Sequence, residues 1–339
     1  MTDLQYTCSL LRSGVEITQL QPDSPPSVSM TSAAEIKMTA TGSFIEPHDV
    51  KINYATDRMQ ITVSAGSQPF SLGVYIIATA QRKKDQYKTV VSITGYDNTY
   101  LIKRSKTETR LHLKAGTKYT DAVRTLLVDS GIQDILMTSS DLTLSTDRED
   151  WEPGTDRLTI CNILLSEINY RSIYADLNGV VCVVPAEEPS PDKVTKTYRA
   201  GQYSILYPDI TTDLDYFDRP NVWIRYVENP ENQIMRAMAE NMSPTSPFSV
   251  PNIGQRIVDI QKLNNIADQK TLQAYVDNLK SENLMASNKV TFRTLVAPHG
   301  VHEIVALDAG VYTETGWSVD LAAPMAMTHK GQEVISIAP

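Results

Sequence analysis

No run of 18 apolar residues occurs in the 339-residue chain, which predicts that no helix spans a membrane. The first 30 residues lack the continuous apolar core of a secretory signal, so none is expected. Cysteine is scarce: Cys8, Cys161 and Cys182 lie far apart, each among apolar neighbours. That excludes a disulfide framework and predicts free, buried thiols in a soluble protein of a reducing compartment. Basic residues are outnumbered, 31 Lys and Arg against 40 Asp and Glu, for a formal net charge of -9. Nucleic-acid binders need basic surface to displace counterions from phosphates, so stable nucleic-acid binding is not expected. The basic clusters Arg82-Lys83-Lys84 and Lys103-Arg104 read as solvated turns.

Catalytic signatures are missing as well. The chain has no GxGxxG, GxxxxGK(S/T), GxSxG, HExxH or CxxC, and no cofactor is expected. Its five histidines are scattered at His48, His112, His299, His302 and His329. Between Pro298 and a following strand, His299 and His302 read as solvated turn residues beside Glu303. Asp209, Asp213, Asp215 and Asp218 form the best calcium candidate, but no glycine follows the spaced aspartates as an EF-hand requires. They read instead as a solvated acidic connector. Glu149, Asp150, Glu152 and Asp156 crowd a helix start, where exposed amides and the dipole already favour acids. Trp151 among them reads as a cover for that helix rather than a sugar platform. The expectation is a non-enzyme with no catalytic, cofactor-binding or metal-binding residues.

What is present is β patterning, interrupted once. Leu4, Tyr6, Cys8 and Leu10 alternate, Arg12-Ser13-Gly14 turns, and Val15 and Ile17 resume. Further runs at 35–39, 60–64, 72–80 and 87–96 are short, with Pro25-Pro26, Pro47 and Pro69 expected to interrupt them. Many short strands suggest a sandwich or barrel. From about residue 105 the period becomes helical. Thr117 or Thr120 can cap a helix bearing Tyr119, Val123, Leu126 and Leu127, with Gly131 as a left-handed stop. A second helix starts at Thr155, with Asp156 near its positive end and Leu158, Cys161, Leu164, Leu165 and Ile168 on one face. Gly116-Thr117 and Gly154-Thr155 precede their Leu-Leu pairs by the same offset, the pattern of a duplicated unit or of any two capped amphipathic helices. Asn178-Gly179 marks a hairpin. After a Pro-rich link at 185–191, β patterning returns, with one further helix capped by Asp268 and carrying Leu272, Tyr275, Val276 and Leu279. The reading is α+β, mainly β: two related β-barrel domains at 1–104 and 198–339, the latter with an inserted helix, flanking a smaller α/β domain at 105–197.

Four segments, in order, carry a family resemblance: SLGVYIIAT…VVSITGYDNTYLI, AGTKYTDAVRTLLVDSGI, WEPGTDRLTICNILLSEINYRSIYADLNGVVCV, and FDRPNVWIRYVENPEN with SPTSPFSVPNIGQRI. Together they resemble the tail hub proteins of PBSX-like prophages, the XkdQ/YqbQ group. These are similar in turn to the central baseplate hubs of contractile-tailed phages and tailocins. The resemblance implies a homotrimeric ring in which three chains of two barrels present six modules to a six-fold tail tube, above a three-fold central spike. It implies the tube protein, the spike, other baseplate proteins and a tape-measure protein as partners. Assembly would take place in the bacterial cytoplasm, ahead of residence in the tail of a virion or tailocin. The alternative is a peptidoglycan-binding or wall-cleaving tail protein, motivated by Trp151 and by LKAGTKYTDAV, which looks like the start of a LysM helix. Against that, the stretch after Gly131 reads as an extended polar loop instead of a second LysM helix.

Overall fold

The computed structural model describes residues 4–66, 68–202, 204–214, 219–228, 234–244, 246–285, 288–308 and 310–334. It is α+β and mainly β. The first six strands are β1 (Leu4–Arg12), β2 (Val15–Thr31), β3 (Met38–Ile45), β4 (Arg58–Ala65), β5 (Gln68–Lys84) and β6 (Thr89–Tyr96). Their order is β1-β4-β5-β6-β3-β2, and β1 also pairs with the first part of β2, from Val15 to Leu20, so the sheet closes into a barrel. Alternate residues point inward, which buries Leu10, Met30, Phe44, Met59, Ile61 and Leu72 in one core. In β5, Gly73 sits at φ +136, where a Cβ would lie 2.3 Å from the hydroxyl of buried Tyr75. Glycine is required there to let the ring fold back and donate to the Leu72 carbonyl at 2.6 Å.

Pro47 lies in the break between β3 and β4 as expected, but Pro25-Pro26 and Pro69 do not interrupt their strands. β2 runs through Pro25-Pro26 on two register shifts, where a missing N–H costs no ladder bond. Pro69 pairs with Ser64 near the start of β5. The loop before β4 is held by buried Asp57, which accepts from Arg12 Nε and Nη2, each at 2.9 Å, and from the Asn53 amide at 2.7 Å. The Arg12 guanidinium, helped by that amide, holds the Asp57 carboxyl below its ordinary 3.8 against the opposing effect of burial. A depressed folded-state pKa stabilises the protein above the unfolded value, and this contribution fades as pH falls below about 4. Asp57→Asn is therefore expected to lower the urea midpoint at pH 7 and to lower it less at pH 3. An equal loss at both pH values would refute the ionic origin.

The middle segment holds α1 (Thr99–Arg104), α2 (Tyr119–Asp129), β7 (Ile135–Met137), α3 (Arg157–Ser166), β8 (Tyr174–Ala175) and β9 (Val181–Val183) around a separate core. Lys103-Arg104, expected in a turn, instead forms the last turn of α1, where Lys103 reaches Glu35 at 2.7 Å and Asp156 at 3.1 Å. Neither threonine caps α2. Lys118 occupies the N-cap without a side-chain bond, and Thr120 turns to the Ser140 amide at 3.3 Å. Asp156 is itself the N-cap of α3, accepting from the Thr159 amide at 2.9 Å. The shared frame extends beyond the helix starts. The offset that carries Lys118 to Asp156 also carries Gly131 (φ +85) to Asn169 (φ +55). The bond from Ile132 N to Leu127 O, 3.1 Å, has its counterpart from Tyr170 N to Leu165 O, 2.9 Å. β7 and β9, downstream of the two helices, pair in parallel. No second helix follows Gly131 before α3.

The core of this segment contains an ion pair. Arg148 meets Glu167 through two bonds of 2.7 and 3.0 Å, the Tyr119 hydroxyl donates to Glu167 at 3.0 Å, and all three residues are buried. The hairpin at Asn178-Gly179 docks on the barrel: Asn98 Nδ2 donates to the Gly179 carbonyl and Ser71 Oγ to that of Leu177, both at 2.6 Å.

The remaining elements are β10 (Lys196–Thr197), β11 (Thr211–Leu214), β12 (Val222–Val227), β13 (Met235–Glu240), α4 (Val250–Ile253), β14 (Val258–Lys262), α5 (Gln269–Met285), β15 (Asn288–Leu295), β16 (Ile304–Leu307), β17 (Gly310–Asp320) and β18 (Ala326–Glu333). Asp268 caps α5 as expected, accepting from the Thr271 amide at 2.7 Å. α5 packs on the small sheet β13-β12-β14 around fully buried Trp223. The strands β11-β15-β18-β17, with β16 attached to β17 and β10 to β16, form a second curved sheet. The two large sheets are one, because β17 also pairs with β2 from Gly316↔Thr31 to Asp320↔Ser27.

Candidate functional site

Strand parity builds a polar cluster inside the second sheet. In β17 the inward positions fall on Tyr312 and Glu314, and in β18 on Met327, His329 and Gly331. Phe292 of β15 stands opposite His329 in register, and their rings stack at 4.6 Å. The loop after β15 then folds His299 over them, its ring 4.5 Å from that of His329. Three ionisable groups thus meet in the interior, with His299 and His329 at 0% exposure and Glu314 at 1%.

The contacts are short and directed. His299 Nδ1 lies 2.8 Å from Glu314 Oε2, and His329 Nδ1 lies 2.5 Å from Glu314 Oε1. Each imidazole is held on its far side by a hydroxyl: Tyr198 at 2.6 Å from His299 Nε2, and Thr294 at 2.9 Å from His329 Nε2. Glu303 approaches from the rim, its Oε2 3.2 Å from His299 Nδ1. Burial opposes charge on His299, but Glu303 and Glu314 outweigh it and raise its pKa above the ordinary 6.5. For His329 burial prevails over Glu314 and the pKa falls. Burial pushes the Glu314 carboxyl up, yet the two imidazoles more than compensate and hold it below 4.5. The arrangement can share protons or hold a cation.

The other sequence candidates disperse. The expectation that His299 would be solvated is wrong, because the turn after Pro298 folds inward. His302 is half-buried beside Tyr174, and burial, assisted by Arg171 and Lys37, lowers its pKa to about 3. Asp209 is exposed and pairs with Arg293 at 2.9 Å, while Asp213 lies in β11 opposite Lys289. Asp215 and Asp218 lie outside the described residues. Glu149 contacts His112 at 2.8 Å, Asp150 pairs with Arg148, Glu152 with Arg110, and Asp156 caps α3. These four carboxylates serve separate local partners. Trp151 is buried beneath Arg148, whose guanidinium lies 5.1 Å from its ring centre. All three cysteines are free and buried, as predicted. A cleft of about 560 Å³ opens between the middle segment, α5 and β17, lined among others by Arg171, Glu187, Glu282 and His302. Burial lowers the pKa of Arg171 and raises that of Glu282.

Sequence reasoning missed the cluster, although one signal was available. Glu314 and His329 keep the inward parity of apolar Tyr312 and Met327, and a charged residue at such a position needs an interior partner.

Comparison with solved structures places the fold. A tail protein from Neisseria meningitidis superimposes with a TM-score of 0.68 at 12% identity, covering 97% of this chain and 96% of that one. The 43 kDa tail protein of prophage MuSo2 from Shewanella oneidensis gives 0.65 at 9% identity, covering 96% and 98%. A type VI secretion component of E. coli, described as structurally similar to bacteriophage T4 tail proteins gp27 and gp5, gives 0.56 at 11%, covering 96% and 77%. No protein-family model and no curated protein matches the sequence. The fold is that of phage tail proteins.

Proposed function

We propose that this protein is the non-enzymatic hub of a phage-tail-like particle, a homotrimer whose pseudo-hexameric ring joins the six-fold tail tube to the three-fold central spike and lines the channel. The reading rests on the end-to-end likeness to phage tail proteins, which covers almost the whole of both chains. Two β units in one chain suit the symmetry change, since three chains then offer six modules on one side and three on the other. The net charge of -9 suits a channel wall that repels phosphate. Tube, spike, neighbouring baseplate proteins and tape measure are the partners, with assembly in the bacterial cytoplasm and final residence in the tail.

Light scattering tests the reading across a concentration range, with and without tube protein. A mass of three chains, reached alone or on adding tube protein, is expected. A chain that stays monomeric in both conditions and never enters tail particles would sink the proposal.

A further inference from the structure

We propose that His299, Glu314 and His329, joined by Glu303 at the rim, form a closed structural site for one divalent transition-metal ion of the zinc class. The ligand atoms of His299, Glu314 and His329 all lie within 4.8 Å of one another. Imidazole nitrogen with carboxylate oxygen is a donor set that zinc accepts in four-coordinate structural sites. With ligands about 2.0 Å from a tetrahedral ion, neighbouring donors stand about 3.3 Å apart. The Nδ1-to-carboxylate separations of 2.5 and 2.8 Å need open by less than about 1 Å to reach that spacing.

Both imidazoles are oriented for this role. Tyr198 and Thr294 stand on the Nε2 sides, where each hydroxyl can accept an Nε2–H and leave the Nδ1 lone pair facing inward. Such outer partners fix the tautomer and aim of metal-bound histidines. A second, independent observation concerns Glu303. Its Oε2 is buried and has no hydrogen-bond partner. It points at His299 Nδ1 from 3.2 Å, although Glu314 Oε2 already stands 2.8 Å from that nitrogen, which can carry at most one proton. Two carboxylates thus face one donor. A divalent cation satisfies both and balances their two charges while the imidazoles stay neutral. The competing occupant is protons alone, shared between the imidazoles and Glu314.

The cluster ties β15, β17, β18 and the loop carrying His299 and Glu303 into one unit, so bound metal would add directly to folding stability. The test uses the full chain, expressed in zinc-supplemented medium and purified without chelator. Elemental analysis should find about one zinc per chain, and a zinc chelator should lower the Tm by about 5 °C or more, reversed by added zinc. Cobalt(II) substitution should give the visible bands of a tetrahedral site. Glu314→Gln should lose the metal, and His112→Ala, at an exposed histidine of the middle segment, should keep it. Should Glu314→Gln fail to fold, the native-protein measurements decide alone. Metal below about one-tenth per chain with a Tm indifferent to chelator and zinc would overturn the proposal and assign the cluster to protons. Metal fully retained by folded Glu314→Gln would overturn it equally.

Discussion

Glu167→Ala is expected to cost about 3–5 kcal/mol of folding stability, because it strands a buried guanidinium. Arg148 is buried and donates two bonds to this one carboxylate, and the Tyr119 hydroxyl loses its acceptor at the same time. The other carboxylate near Arg148, Asp150, is half-exposed and cannot replace a bidentate interior partner. Most of the expected loss is the penalty of an unpaired charge, not the net worth of the pair. Arg148→Met combined with Glu167→Leu should therefore recover most of the stability lost by Glu167→Ala alone. Urea unfolding of Arg148→Met, Glu167→Leu and the double variant forms the cycle that checks this, with Glu167→Ala measured beside them. A double variant as unstable as Glu167→Ala would refute the argument.

Trp223→Ala is the second large effect, expected at about 3–5 kcal/mol from lost packing and the cavity left behind. Trp223 is fully buried near the start of β12, where α5 packs on the small sheet with Leu272 and Val276 in the same core. Its indole Nε1 has no hydrogen-bond partner, so the interaction is packing alone. Trp223→Phe should consequently cost distinctly less than Trp223→Ala. Hydrogen exchange should show the α5 amides losing protection in Trp223→Ala while those of the first barrel keep theirs. Equal costs for the two substitutions would show that the indole N–H matters after all.

What the sequence showed depended on how local the determining interaction was. The apolar stripe of α3, the Asp268 cap and the Asn178-Gly179 hairpin all arise within a few residues, and each is where the pattern put it. Lys118 at the N-cap of α2 was not legible, since Thr117 and Thr120 are better cap formers and only the buried contact with Ser140 draws Thr120 away. α1 is a helix of six residues, too short to display a period. The His299–Glu314–His329 cluster joins three segments that only β pairing brings together. Isolated histidines in a turn look solvated until a fold closes over them. The family resemblance supplied the architecture that such distances hide.

The seam between β2 and β17 has a consequence for synthesis. The edge of β2 that meets β1 over Val15–Leu20 must wait, over Ser27–Thr31, for a strand near the far end of the chain. A nascent chain leaving the ribosome can close its first barrel from residues 4–96, yet it carries an open backbone edge until β17 emerges. Such edges recruit foreign strands. Pairing so distant in sequence is also slow to form, which lengthens the exposure. Chains truncated before residue 310 should thus yield a barrel that is folded but adhesive, while the intact polypeptide shields its own beginning with its end.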